Sequence, residues 1–212
     1  MGQMTMSWLT LLALGAFHGI NPGMGWLFAV ALGMQERRRG AVVGALLPLG
    51  LGHGLAVAAA ILLALLAGVV VPLHYLRWLV GVTLILFGAG RLFRHWHPRW
   101  ASMRVGARGL TLWSFLMASA HGAGLMVVPV FLGMATPGTQ VACHSAEAVH
   151  LSASAALLAT ATHATGYLAV TAATALFVFQ KVGLGLLRKA WVNLDFLWAA
   201  TLIATGVISV FL

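Results

Sequence analysis

Apolar residues run through this chain in long stretches, and Lys and Arg gather in short clusters between them. A helix crossing a hydrocarbon core about 30 Å thick needs roughly 20 mostly apolar residues. The pattern predicts six such helices: Ser7 to Met34, Val42 to Ala67, Leu73 to Gly90, Leu110 to Met134, Leu151 to Phe177 and Trp191 to Leu212. The third has the shortest uncharged core, Trp78 to Gly90, and relies on Arg77 and Arg91 reaching back to the interfaces. No basic residue precedes the first stretch and no small-residue cleavage site stands out after it, so it is expected to remain as a span.

Composition supports the same class. Of 212 residues, 61% are apolar and 7% charged, whereas a water-soluble domain has roughly a quarter of its residues charged. Soluble enzymes, DNA-binding domains and disordered tails are excluded on that ground. The excess of 12 basic over 3 acidic residues, a net charge of +9, would by itself suggest nucleic acid. Its distribution points instead to topology. Arg37, Arg38 and Arg39 fall in the first loop, Arg91, Arg94, Arg99, Arg104 and Arg108 in the third, and Lys181, Arg188 and Lys189 in the fifth, while the even loops contribute only Arg77. Odd loops therefore face the cytoplasm and both chain ends face outward. The expectation is an all-α, multi-pass protein of the cell's inner (plasma) membrane, N-out and C-out, with the lipid bilayer as partner and no nucleic acid. The single cysteine cannot form an internal disulfide.

Six spans divide into two sets of three, and an odd number per half requires any internal repeat to be inverted across the membrane. Residues 1–212 are thus read as one transmembrane domain made of two three-helix repeats, 1–108 and 109–212. The first span holds Ala16-Phe17-His18-Gly19 and the fourth Ser119-Ala120-His121-Gly122; the second holds His53-Gly54-Leu55-Ala56-Val57, and the fifth His163 followed by Gly166-Tyr167-Leu168-Ala169-Val170. Each of these histidines stands 11 or 12 residues into its predicted span, which at 1.5 Å per residue is roughly 17 Å. All four are expected near the bilayer midplane. One neutral histidine in a membrane helix can serve as a mere hydrogen-bond partner to a neighbour. Four at one depth point to function, because ionisable groups there are costly.

Imidazole suits Zn, Ni, Co, Cu and Fe better than Mg or Ca, which take oxygen ligands. His18, His53, His121 and His163 are therefore candidate metal ligands, with the ion as transported substrate or bound cofactor. Asp195, the acid within a predicted span, is a candidate second-shell or coupling group, or a first-turn acid favoured by the helix dipole. Asn21-Pro22-Gly23 should break the first span beside His18, and Pro22 is expected to free the His18 carbonyl as an ion contact. Asn21 is a further candidate coupling residue, and Pro129 is expected to bend the fourth span comparably. In the fourth loop Cys143, His144, Glu147 and His150 form a candidate outer-mouth metal-recruitment cluster, or simply a polar loop.

The order of these features resembles the LysE superfamily of small six-helix exporters, nearest to its nickel and cobalt branch. Asn21-Pro22-Gly23 looks like the family's early Pro-Gly break, Arg37-Arg38-Arg39-Gly40 like its basic-then-glycine loop, and Gly81 to Gly88 like its third-span glycines. His18 corresponds by this resemblance to the first histidine of the branch's early motif. That motif's aspartates are absent, with Ile20, Asn21 and Met24 standing after His18. The resemblance implies two inverted three-helix repeats and a homodimer. Three functions follow as expectations. The first is a transporter passing a transition-metal cation through the histidine site by alternating access. The second is a membrane metalloenzyme in which the same side chains hold one or two metal ions. The third is an exporter of amino acids or small organic anions.

Overall fold

A computed structural model describes residues 2–70, 73–93, 106–134, 146–182 and 194–211. All of their regular structure is helical, with no strands among them. In chain order the helices are α1 (Gly2–Ile20), α2 (Trp26–Glu36), α3 (Arg39–Val70), α4 (Leu73–Phe93), α5 (Ala107–Ala120), α6 (Ala123–Met134), α7 (Ala146–Phe177) and α8 (Leu194–Phe211). A 3₁₀ turn, Pro22–Met24, joins α1 to α2, and a π-helical turn, Val178–Val182, follows α7.

Two segments are long and apolar enough to cross a bilayer, Arg39–Ala67 and Ala153–Lys181, and α5 with α6 makes a third if that bent pair is one span. The exterior matches such a setting. On α3 the exposed stripe is Val43, Leu47, Leu51, Leu55, Leu62 and Leu66, while the opposite face buries Ala45, Leu49, His53, Val57 and Ile61. Large side chains of the least polar kind thus point outward and imidazole points inward. Water would penalise so continuous an apolar surface; lipid does not.

Three helix pairings carry most of the packing: α1 with α7, α3 with α5, and α4 with α8. With little hydrophobic drive between helices in lipid, small residues that let backbones approach decide which helices associate. A Cβ on Gly15 would collide with the His163 carbonyl oxygen, one on Gly166 with the Leu12 carbonyl, and one on Gly19 would lie 2.6 Å from the Tyr167 carbonyl. Gly15 and Gly19 form a G-x-x-x-G stripe on α1 that seats α7 backbone to backbone. Gly52 approaches Thr111 on α5 in the same way, and Gly88 and Gly206 join α4 to α8. Across α3 and α5, the Ser114 hydroxyl donates to the Leu49 carbonyl at 2.7 Å.

The breaks fall partly where the sequence places them. Pro22 interrupts the first apolar stretch as expected, but the His18 carbonyl is not left free: it accepts the Asn21 N–H at 3.2 Å. The chain tightens into a 3₁₀ turn and satisfies that oxygen locally. Trp26 Nε1 donates to the Ile20 carbonyl at 2.9 Å, so the broken backbone is satisfied within the protein, as lipid requires. In the fourth stretch the bend of 63° lies between α5 and α6, and Pro129 sits inside an uninterrupted α6. Gly122, with φ of 71°, takes the left-handed conformation that stops α5. A left-handed glycine ends a helix outright, whereas Pro129 removes one donor and leaves α6 intact.

Candidate functional site

His18 is carried by the last turn of α1, His53 by the middle of α3, and His163 by the middle of α7. Each is 0% exposed. Their ring centres form a triangle with sides of 5.5 Å for His18 to His53, 5.0 Å for His18 to His163 and 5.3 Å for His53 to His163. Three of the four sequence-predicted histidines therefore meet, from both halves of the chain. The fourth, His121, is also buried and lies at the second break, directly after α5. Its Nε2 would be 3.9 Å from a Cβ on Gly23, so the two breaks lie side by side.

Hydrogen bonds assign the tautomers. His163 Nδ1 donates to the Leu11 carbonyl at 3.2 Å, His18 Nδ1 to the Leu14 carbonyl at 2.6 Å, and His121 Nδ1 to the Met117 carbonyl at 2.9 Å. A carbonyl can only accept, so each of these three neutral rings has its proton on Nδ1 and its lone pair on Nε2. The His53 and His163 Nε2 atoms are 3.2 Å apart with ring planes 7° from parallel, an end-to-end arrangement. His163 must accept there, so His53 donates. His53 Nδ1 then holds a bare lone pair, buried and without a hydrogen-bond partner. Fixing one ring nitrogen to a backbone carbonyl is a common way to set the tautomer and orientation of a functional histidine.

Tyr167 completes the cluster and was not among the sequence-predicted site residues. It is fully buried, stacks on His53 with ring centres 3.9 Å apart and planes at 6°, and donates its hydroxyl to the Met24 carbonyl at 2.6 Å. One side chain thus orients the His53 ring and ties α7 to the 3₁₀ turn. Its position four residues after His163 places it on the same face of α7, a signal present in the sequence. Tyr167→Phe keeps the stacking and strands the Met24 carbonyl. We expect it to lower stability by about 1–3 kcal/mol in thermal unfolding while metal affinity stays within about threefold, whereas Tyr167→Leu, which also loses the stack, lowers both.

Asn21 has a structural assignment: its Oδ1 accepts the Gly23 N–H at 2.8 Å and caps the 3₁₀ turn. Cys143 and His144 lie outside the described residues, as do the side chains of Arg77, Arg91, Glu147, His150 and Asp195, though α7 carries Glu147 and His150 and α8 carries Asp195. Among the described residues, no group of three or more His, Cys, Asp or Glu side chains is arranged to hold a metal ion.

No family model, curated protein or solved structure matches this chain.

The cluster's chemistry therefore rests on its own geometry. Imidazoles sharing one ion through nitrogens about 2.0–2.1 Å away place their ring centres about 5.1–5.6 Å apart in tetrahedral or trigonal arrangements. The observed sides run from 5.0 to 5.5 Å. The His53 and His163 Nε2 atoms, at 3.2 Å, are close to the roughly 3.3 Å separating two ligands of a tetrahedral ion. Accepting an ion there requires His53 to move its proton from Nε2 to Nδ1, and the His18 ring to direct Nε2 inward.

Proposed function

We propose that the protein transports a transition-metal cation across the cell's inner membrane through the site built by His18, His53 and His163, with His121 beside it at the second break. The observation that carries this reading is the triangle of three fully buried imidazoles from α1, α3 and α7, with ring centres 5.0, 5.3 and 5.5 Å apart. Burial on all sides describes a site closed to both faces, as a transporter holds its cargo between openings.

Two further features support it. Broken helices in corresponding places of two halves are the membrane-protein pointer to a substrate site; here the breaks after His18 and at His121 adjoin each other. The helix pairings also support a six-span, inverted-repeat reading. If α1 with α2 is the first span and α5 with α6 the fourth, the principal pairings are first with fifth, second with fourth, and third with sixth. Exchanging the two halves leaves that set unchanged. The proposal keeps both ends outside, and it retains the resemblance to the LysE superfamily, including the dimer, as its expected lineage.

Flux into proteoliposomes, measured across several transition-metal ions, tests the reading. Saturable uptake of at least one ion is expected, with His18→Ala reducing it at least about tenfold. Absence of flux for every ion, or flux indifferent to His18→Ala, defeats it. Tightly held stoichiometric metal without flux would favour the metalloenzyme, and uptake of amino acids without metal the organic-solute exporter.

A further inference from the structure

We infer that the inner face of α7 binds water and forms a hydrated path to the histidines; its use by cargo rests on the transport reading above, whereas its hydration does not. Thr160, His163, Tyr167 and Thr171 follow one another along α7 at spacings of three and four residues, which sets them on one helix face. That face extends roughly 16 Å along the axis, about half the thickness of a hydrocarbon core. Neighbouring helices add polar groups to it. His53 of α3 stacks on Tyr167, and its Nδ1 is buried without a partner. Ser114 of α5 is 2% exposed, Thr171 is 0% exposed, and both lie beside the Tyr167 hydroxyl.

The hydroxyl oxygens of Thr160 and Thr171 are buried, and neither meets a partner in hydrogen-bonding geometry. Threonine in a helix has a ready remedy, since its hydroxyl can donate to the carbonyl four residues earlier. Exposed threonines of this protein use it: Thr10 donates to the Met6 carbonyl at 2.8 Å, Thr83 to the Leu79 carbonyl at 2.7 Å and Thr165 to the Ala161 carbonyl at 2.8 Å. Thr165 is the closest comparison, because it stands on α7 between His163 and Tyr167. On the outer face the hydroxyl turns to its own backbone; on the inner face it does not. A buried hydroxyl left without a partner costs free energy, so the inner pair calls for a ligand. Water fits, because it can donate to the His53 Nδ1 lone pair and exchange hydrogen bonds with either hydroxyl. A hydrated face also lets a charged cargo keep part of its water until imidazole replaces it, which lowers the desolvation cost of entering the bundle. Beyond Thr171 the face continues as Ala175 and Val178, buried with Val42, Ala45 and Leu49. This apolar layer closes the path at that end.

The test uses the full chain in lipid bilayers with isotopically labelled threonine. Magnetisation transferred from water in solid-state NMR is expected to reach Thr160 and Thr171 at mixing times too short to reach Thr165, the three signals being identified by their loss in Thr160→Val, Thr171→Val and Thr165→Val. Transfer no faster to the inner pair than to Thr165 overturns the inference. Flux in proteoliposomes then tests the route. Thr171→Val is expected to lower it about fivefold, the worth of one hydrogen bond, while Thr171→Ser retains it and Thr165→Val leaves it unchanged. A packing role for Thr171 gives the reverse, with valine, equal in shape, keeping flux and serine, which loses the methyl group, reducing it; that result overturns the route. Water at both inner threonines without flux in the parent protein defeats the transport reading and leaves the hydrated face standing.

Discussion

Exchanging His163 for alanine is expected to weaken metal binding at least about 100-fold, beyond the loss typical of a single outer-shell partner. The ring does three things at once. It accepts from His53 Nε2 at 3.2 Å, donates to the Leu11 carbonyl at 3.2 Å and stands 5.0 Å from the centre of the His18 ring. Alanine removes all three and leaves His53 without a partner on either nitrogen. A structural and a ligand role can be separated with His163→Asn, whose side-chain amide can donate to Leu11 from nearly the position of Nδ1 while placing no atom at Nε2. We expect His163→Asn to unfold within a few degrees of the parent protein and still to lose metal binding. Metal affinity retained in this variant would show that His163 is only a packing and hydrogen-bonding residue.

Gly15→Ala is expected to be among the most disruptive single-methyl additions in the molecule. The new Cβ would collide with the His163 carbonyl and lie 2.9 Å from the Tyr167 nitrogen, both backbone atoms of α7. Neither can turn aside as a flexible side chain would, so α1 and α7 must separate. Overpacking of this kind costs about 1–3 kcal/mol and occasionally more, and here it also pulls His18 away from His163. Gly54→Ala provides the contrast. It follows His53 on α3, and nothing lies within 4 Å of its added Cβ, so the better helix propensity of alanine should leave stability unchanged or raise it by about 0.5–1 kcal/mol. Thermal unfolding followed by tryptophan fluorescence would compare the two. Equal melting temperatures would mean that the glycine seam does not determine how α1 and α7 associate.

Parts of this architecture can be read without coordinates. The apolar stretches place α3 and α7, because a continuous uncharged run of that length has few alternatives to a helix. That His18, His53 and His163 could meet follows from counting residues at a fixed rise along their stretches, and their rings do lie together. The break at Asn21-Pro22-Gly23 was legible because proline lacks the donor a helix needs. The second break was not: Pro129 is the more conspicuous breaker, yet the chain turns at Gly122, where a positive φ is available without a Cβ. Tyr167 was overlooked because its importance lies in two contacts, with His53 on α3 and with the Met24 carbonyl, that span more than a hundred residues of chain.

Taken by itself, the sequence determined that the chain is helical and that it carries stretches apolar and long enough for lipid; rise per residue and the solvation of apolar groups are local properties, readable in one dimension. Tertiary structure decided which rings face one another, that His121 stands at the break beside the triangle, and which carbonyls the ring nitrogens of His18, His121 and His163 bind. Rotation about a helix axis and the choice of neighbouring helix depend on where distant backbones can touch. Glycines on α1 and α7, nearly 150 residues apart, make that choice jointly, and neither one expresses it alone.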